Sequence, residues 1–104
     1  MELKYIQPII NLKKIKNKMK YLYFSAEWCG PCKTLKPIME EVSKQIPVSK
    51  IDIDSNPQYT VEYNVRSVPT VILVENTGKE LSRSIGVHSL EHYINQYNQF
   101  NQSI

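Results

Sequence analysis

The sequence predicts an α/β sandwich whose sheet begins with parallel pairing and ends in an antiparallel hairpin. Three observations carry this. Strand-like and helix-like segments alternate along the chain, which favours a sheet layered with helices. Tyr21–Ala26 is aromatic and apolar on both parities, as suits a strand covered on both faces. Asn76-Thr77-Gly78 separates two strand-like runs and reads as a hairpin turn.

The elements come in a definite order. Leu3 and Tyr5 alternate with charged residues and allow a short first strand. Pro8 opens a helix, with Ile9, Leu12, Ile15 and Met19 at helical spacing. The Tyr21–Ala26 strand comes next. A second helix starts near Gly30-Pro31 and runs to about Ile46, before Pro47; Leu35, Ile38, Met39, Val42 and Ile46 form its apolar stripe. Val48–Ile53 alternates as a strand. Asp54-Ser55-Asn56-Pro57 places a capping side chain before Pro at a helix start. That helix is short, because Arg66-Ser67-Val68-Pro69 breaks it. Thr70–Glu75 and Lys79–Ile85 form the hairpin, which Gly86 closes. Ser89 caps a last helix bearing Leu90, Tyr93, Ile94, Tyr97 and Phe100, and the Asn and Gln residues after Asn95 are expected on its wet face.

Length and composition bound the function. One hundred and four residues fit one domain, 1–104, with a modest core. No unbroken apolar run exceeds four residues, Val71–Val74 being one, where a membrane span needs about 20. The first residues show no apolar core followed by a cleavage site, so neither export nor membrane association is expected. The net charge is +3, unevenly placed. Residues 1–20 hold six lysines against Glu2, whereas the other 84 residues carry seven bases and nine acids. Such a basic segment can serve nucleic acid. It lacks interleaved aromatics and arginines, so a solvated helix face with cations near its C-terminal end is the reading taken.

Two cysteines, Cys29 and Cys32, are too few for the disulfide framework of a secreted mini-protein. Continued backwards, the helical stripe puts Cys32 on the buried side. Cys29 then falls at the helix N-terminus, after the Tyr21–Ala26 strand. Unpaired N–H groups and positive partial charge there stabilise a thiolate. This predicts an exposed nucleophile and a sheltered partner. Residues three apart on a helix have Cβ atoms about 5–6 Å apart. A disulfide wants about 3.5–4.5 Å, so a small adjustment lets the bond open and close. Zinc is the competing use of the pair. It needs four ligands, and 55 residues separate Cys32 from His88-x-x-x-His92, against about 12–15 in the compact finger pattern. No metal is expected.

Trp28-Cys29-Gly30-Pro31-Cys32-Lys33 resembles the active-site sequence of the thioredoxin family. The resemblance continues through Ala26-Glu27, Pro37, Lys50, Asp52-Ile53-Asp54, Asn56-Pro57, Val68-Pro69-Thr70 and Gly86, and covers essentially the whole chain in order. It implies the thioredoxin fold, a central mixed sheet of four to five strands flanked by helices on both faces. It implies a cis Pro69 facing the cysteines, with Val68 free to pair with an extended substrate segment and Gly86 keeping the groove open. Trp28 would join the docking surface. Gly30 would permit close backbone approach, and Pro31 would supply a fixed φ for the helix start. Pro37 would kink the helix.

The activity implied is dithiol–disulfide exchange without a cofactor. Cys29 attacks a disulfide in a protein substrate, and Cys32 resolves the mixed disulfide. An NADPH-dependent thioredoxin reductase would return the electrons, and a cytoplasmic monomer is expected. One position departs from the pattern. Where the family usually carries a buried acid, six residues before the first cysteine, this chain has Tyr23. The family's nearby lysine is retained as Lys50. Tyrosine, with a pKa of about 10, is a poor base at neutral pH. Tyr23 is thus expected to slow resolution and, being larger, to close the water path under Cys32. Two alternatives stand beside general reduction: a narrow redox partner of one client or reductase, and a non-redox binding subunit of the same fold.

Overall fold

A computed structural model describes residues 18–102. Its elements run β1 (Met19–Ser25), α1 (Gly30–Val42), β2 (Val48–Asp52), α2 (Pro57–Glu62), β3 (Thr70–Glu75), β4 (Glu80–Ile85) and α3 (Leu90–Gln102). The expected Leu3–Tyr5 strand, most of the helix from Pro8 and the lysines at 13, 14 and 16 lie outside the described residues. Helical spacing places Met19 in that helix, but it opens β1 and is buried, while Lys20 points out. Its apolar side chain serves the sheet's core, joining the cluster that contains Tyr21 and Tyr23.

The strands form one sheet in the order β2-β1-β3-β4. β1 is parallel to β2 and antiparallel to β3, and β3 and β4 form the antiparallel hairpin. The two crossovers differ because their helices differ in length. The 13 residues of α1 span about 20 Å, enough to return the chain to the start of the sheet and make β2 parallel. The six residues of α2 cover only about 9 Å, so the chain stays near the end of β2 and β3 runs back against β1.

β1 is buried on both faces. Tyr21 and Tyr23 pack with Val71 and Leu73 against Leu35, Met39 and Val42 of α1 and Tyr93 of α3. Leu22 and Phe24 pack with Ile51, Ile72 and Val74 on the other face, where Ile53, Tyr63, Val65 and Val68 lie against them. α2 itself buries no residue; it is tied to this second core by Tyr63 and Val65, just beyond its C-terminal end. Asn64 has φ 53° just past the helix. Val65 N–H then donates to Thr60 and Asn64 N–H to Val61, a Schellman closure that turns Val65 inward. Arg83 of β4 adds a 2.6 Å bond to the Tyr63 carbonyl.

Three local expectations change. α1 ends at Val42 rather than near Ile46, since Pro47 disfavours helical geometry before it and the Ser43 hydroxyl donates to the Glu40 carbonyl. Turn bonds from Gln45 and Ile46 to Val42 still leave Ile46 buried. Asn56 precedes α2 but makes no side-chain cap; its amide donates to the Asp52 carbonyl. Gln96 is not on the wet face: its amide donates to Ser82 and its Oε1 lies 2.9 Å from the Tyr21 hydroxyl. That hydroxyl also donates to the Tyr93 carbonyl at 2.7 Å, tying β1 to α3. Ser89 does cap α3, accepting from His92 N–H.

Leu35 is fully buried and seats α1 on the sheet. Leu35→Ala should cost about 2–5 kcal/mol in urea unfolding through the cavity it leaves. His92 supplies a pH dependence. Its ring stacks on His88 with centroids 4.3 Å apart and its Nε2 meets the Ser84 hydroxyl at 2.8 Å. Burial first, and then the His88 charge, lower its pKa below the ordinary 6.5. The unfolded chain therefore takes up this proton more readily. The stabilisation is complete above about 6.5 and is lost as pH falls through the lower folded value. Urea midpoints should drop between pH 7.5 and 5, and drop less in His92→Gln.

Candidate active site

β1 ends at Ser25, and Cys29 N–H turns back to the Ala26 carbonyl at 3.2 Å. Cys29 then stands as the N-cap of α1, with extended backbone at φ −90° and ψ 115°. Its sulfur accepts the Cys32 N–H at 3.1 Å, the place a serine or aspartate oxygen takes in ordinary capping. Pro31 sits in the first turn, where its missing donor costs nothing. Cys29 and Cys32 are joined as a disulfide, with Cα atoms 5.3 Å apart. When that bond is reduced, the N–H that caps the helix faces a Cys29 thiolate, so helix capping and thiolate stabilisation are one interaction.

The expected contrast in exposure is absent: both cysteines are 4% exposed. The disulfide draws the two sulfurs together, and Ala26, Ile53 and Val68 pack around the pair. The Cys29 sulfur lies 3.7 Å from the Val68 carbonyl oxygen. Access to Cys29 is therefore limited by the residues packed around it.

The segment entering β3 lies against this pair, Val68 packing on it. The Val68–Pro69 peptide is cis and Pro69 is buried. Gly86 N–H donates to the Pro69 carbonyl at 2.9 Å. Gly86 has φ +88°, and a Cβ there would meet nothing within 4 Å, so the glycine answers a backbone requirement beside open space. Gly30 also faces open space. Trp28 is 67% exposed, its indole N–H donating to Asp54 at 2.9 Å. Ile85 and Val87, exposed on either side of Gly86, are absent from the sequence-based candidates. A signal for them exists: large apolar residues flanking a glycine at a strand end. Pro37 lies within α1 as expected.

A pocket of about 440 Å³ opens on the other side of the pair, where Tyr23, Cys32, Lys50 and Asp52 meet. Tyr23 does not close it. Its hydroxyl donates to the Cys32 carbonyl at 3.0 Å, which draws the ring under the helix and leaves the space beside it. Burial raises the Tyr23 pKa above 10, the Glu40 charge raises it further, and a Ser25 hydrogen bond opposes both. The phenol therefore keeps its proton at neutral pH and holds backbone. Lys50 pairs with Tyr23 across the parallel strands and lines the same pocket. Asp52 enters the sequence reading only as part of a motif, though strand alternation sets it on the same side of β2 as Lys50. The two histidines weighed for zinc instead stack on each other, with His88 Nε2 at the Ile85 carbonyl.

A Cys-x-x-Cys disulfide that caps a helix is suited to exchange with other disulfides, and the chain is a thiol–disulfide oxidoreductase. It belongs to the thioredoxin family, whose model, described as Thioredoxin, matches residues 9–99. A thioredoxin of Chlamydia trachomatis is 48% identical over 67 residues, 62% of this chain and 65% of that protein. One from Rickettsia felis is 45% identical over 80 residues, 70% of this chain and 75% of its own. Among solved structures, a mutant thioredoxin from Halobacterium salinarum superposes with a TM-score of 0.75 at 29% identity, covering 88% of this chain and 82% of that one. The reduced Schistosoma mansoni thioredoxin pre-protein gives 0.72 at 30% identity, covering 90% of each.

Tyr23→Phe keeps the ring and removes the hydroxyl that bonds to the Cys32 carbonyl. It should lower stability by about 0.5–1.5 kcal/mol in urea unfolding, the net value of one hydrogen bond.

Proposed function

We propose that this chain reduces disulfides in protein substrates as a monomer, residues 1–104 acting as one thioredoxin-like domain. The observation that carries the reading is the Cys29–Cys32 disulfide at the N-terminus of α1. Cys29 is the nucleophile. Its thiolate attacks a substrate disulfide, a Cys29–substrate bond forms, and the displaced substrate sulfur leaves with the bonding pair. Cys32 then attacks Cys29, the internal disulfide closes and the second substrate sulfur is released. Gly30 and Pro31 shape the turn between the two thiols. Tyr23 and Lys50 line the resolving side.

Substrate docks as an extended segment against Val68 and Pro69, with Trp28 and Gly86 framing it. This is supported by the position of Val68 outside the β3 ladder and by the open space at Gly86. Exposed Ile85 and Val87 extend the apolar rim. Electrons come from an NADPH-dependent thioredoxin reductase. The cytoplasm, where thiols are kept reduced, is the compartment this cycle suits. Among the described residues no helix is long and apolar enough to cross a membrane.

The test is NADPH-coupled reduction of insulin with thioredoxin reductase supplied. Wild-type protein should turn over and Cys29→Ser should not. Cys32→Ser should accumulate a mixed disulfide with insulin, visible by non-reducing gel electrophoresis. Little turnover by a wild-type dithiol that still titrates with thiol reagents would favour a dedicated partner over general reduction.

A further inference from the structure

The segment from Tyr63 to Pro69 carries Val68 to the cysteine pair, yet it belongs to no helix or strand. Its backbone carbonyls must therefore find donors elsewhere. At the far end, Gly86 N–H donates to the Pro69 carbonyl at 2.9 Å, and the Thr70 hydroxyl donates to the Ser67 carbonyl at 2.8 Å. At the near end the donor is one side chain. Arg83 of β4 gives Nη2 to the Tyr63 carbonyl at 2.6 Å and Nη1 to the Asn64 carbonyl at 3.3 Å.

The guanidinium is itself aimed. Glu80, on the same strand, accepts from its Nε at 2.8 Å through one oxygen and from Nη2 at 2.8 Å through the other. Four of the five guanidinium N–H donors are thus used. Tyr63 is the C-cap of α2, and Asn64, at φ 53°, turns the chain out of it. Carbonyls at a helix end carry negative partial charge and lack intrahelical donors, so a cation with two N–H groups completes them. α2 buries no residue of its own. Tyr63 and Val65 hold its exit by side-chain packing, and the guanidinium holds the backbone. Four residues after Asn64 comes Val68, whose carbonyl oxygen lies 3.7 Å from the Cys29 sulfur.

We infer that Arg83 is a positioning residue for substrate docking. It acts through the Tyr63 and Asn64 carbonyls on the Val68–Pro69 edge rather than on the sulfurs. The inference rests on the reductase reading and on docking at Val68. If the exit of α2 shifts, Val68 shifts relative to Cys29. A substrate held by its backbone then loses the alignment of its disulfide with the sulfur. A small disulfide that needs no backbone pairing is indifferent to the shift. The geometry calls for arginine, because one planar fork meets two successive carbonyls and both Glu80 oxygens, whereas a lysine offers a single nitrogen.

The test compares second-order rate constants for oxidation of the pre-reduced protein by insulin and by dipyridyl disulfide, which is small and uncharged. Arg83→Met removes the donors and keeps an unbranched side chain. It should lower the insulin rate constant about tenfold and leave the dipyridyl disulfide rate within about twofold of wild type. Arg83→Lys keeps the charge and should recover only part of the insulin rate. Glu80→Gln keeps the guanidinium but weakens its aim, and should give a smaller loss of the same kind. A variant that is merely less folded loses both rates by one factor, and urea midpoints measure that separately. An insulin-to-dipyridyl ratio in Arg83→Met equal to wild type overturns the inference, whether both rates fall or neither does. Full recovery by Arg83→Lys overturns it too, since charge alone would then be the cause. If Arg83→Met fails to fold, Glu80→Gln decides: a lowered ratio supports the inference and an unchanged one overturns it. Wild-type protein that reacts with dipyridyl disulfide but not with insulin defeats the reductase reading, and this inference with it.

Discussion

Every functional feature of this chain hangs from one strand whose two edges and two faces are all occupied. β1 has β2 on one side and β3 on the other, and its side chains enter separate cores above and below the sheet. A strand in that position has no freedom to slip, because a shift of one residue would exchange the contents of the two cores. Its C-terminal end is therefore a fixed point, and Cys29 comes four residues after Ser25. The same fixing applies to Pro69, since Thr70, the first residue of β3, is paired with Phe24. Ladder register thus fixes both the end of the strand before Cys29 and the start of the strand after Pro69.

The helix adds a second constraint at the same atom. Because Cys29 caps α1, the backbone donor of Cys32 is directed at the reactive sulfur and the side chain of Cys32 is carried by the first turn. Polar capping normally uses oxygen; a sulfur here lets one contact stabilise the helix end and the thiolate in turn. The apolar stripe Leu35, Met39 and Val42 fixes the rotation of the helix against β1, which decides where Cys32 points. Packing far from the sulfurs thus sets their separation.

Much of this is legible from residue order. The stripe from Leu35 to Val42, the β-branched run Thr70–Glu75 and the Asn76-Thr77-Gly78 turn each carry a local physical signal, and each stands where its signal puts it. The illegible features depend on contacts between distant segments. Nothing local marks Met19 as a strand residue, since its spacing also fits a helix. Gln96 looks like solvent-facing composition until Tyr21 and Ser82 are placed opposite it. The exposure expected of Cys29 fails because position at a helix N-terminus says nothing of the Ala26–Ile53–Val68 cover. The antiparallel pairing of β3 stems from the shortness of α2, a quantity the sequence does contain.

Tyr23 and Asp52 show the same limit at the level of chemistry. Taken one position at a time, Tyr23 reads as the loss of an acid. The parallel register removes that conclusion, because it pairs Tyr23 with Lys50 and Ser25 with Asp52, so that both strands supply the pocket. A phenol on β1 fills the apolar core and donates to the Cys32 carbonyl, a bond that an ionised carboxylate, with no proton to give, could not make. A carboxylate on β2 stands one strand nearer the sheet edge, with Ser55 satisfying one of its oxygens and lysines around it. Placing the phenol on β1 and the carboxylate on the edge strand β2 leaves the buried centre uncharged. The unit that must be preserved is the set of groups facing Cys32, and its members can change strands as long as the register that assembles them does not.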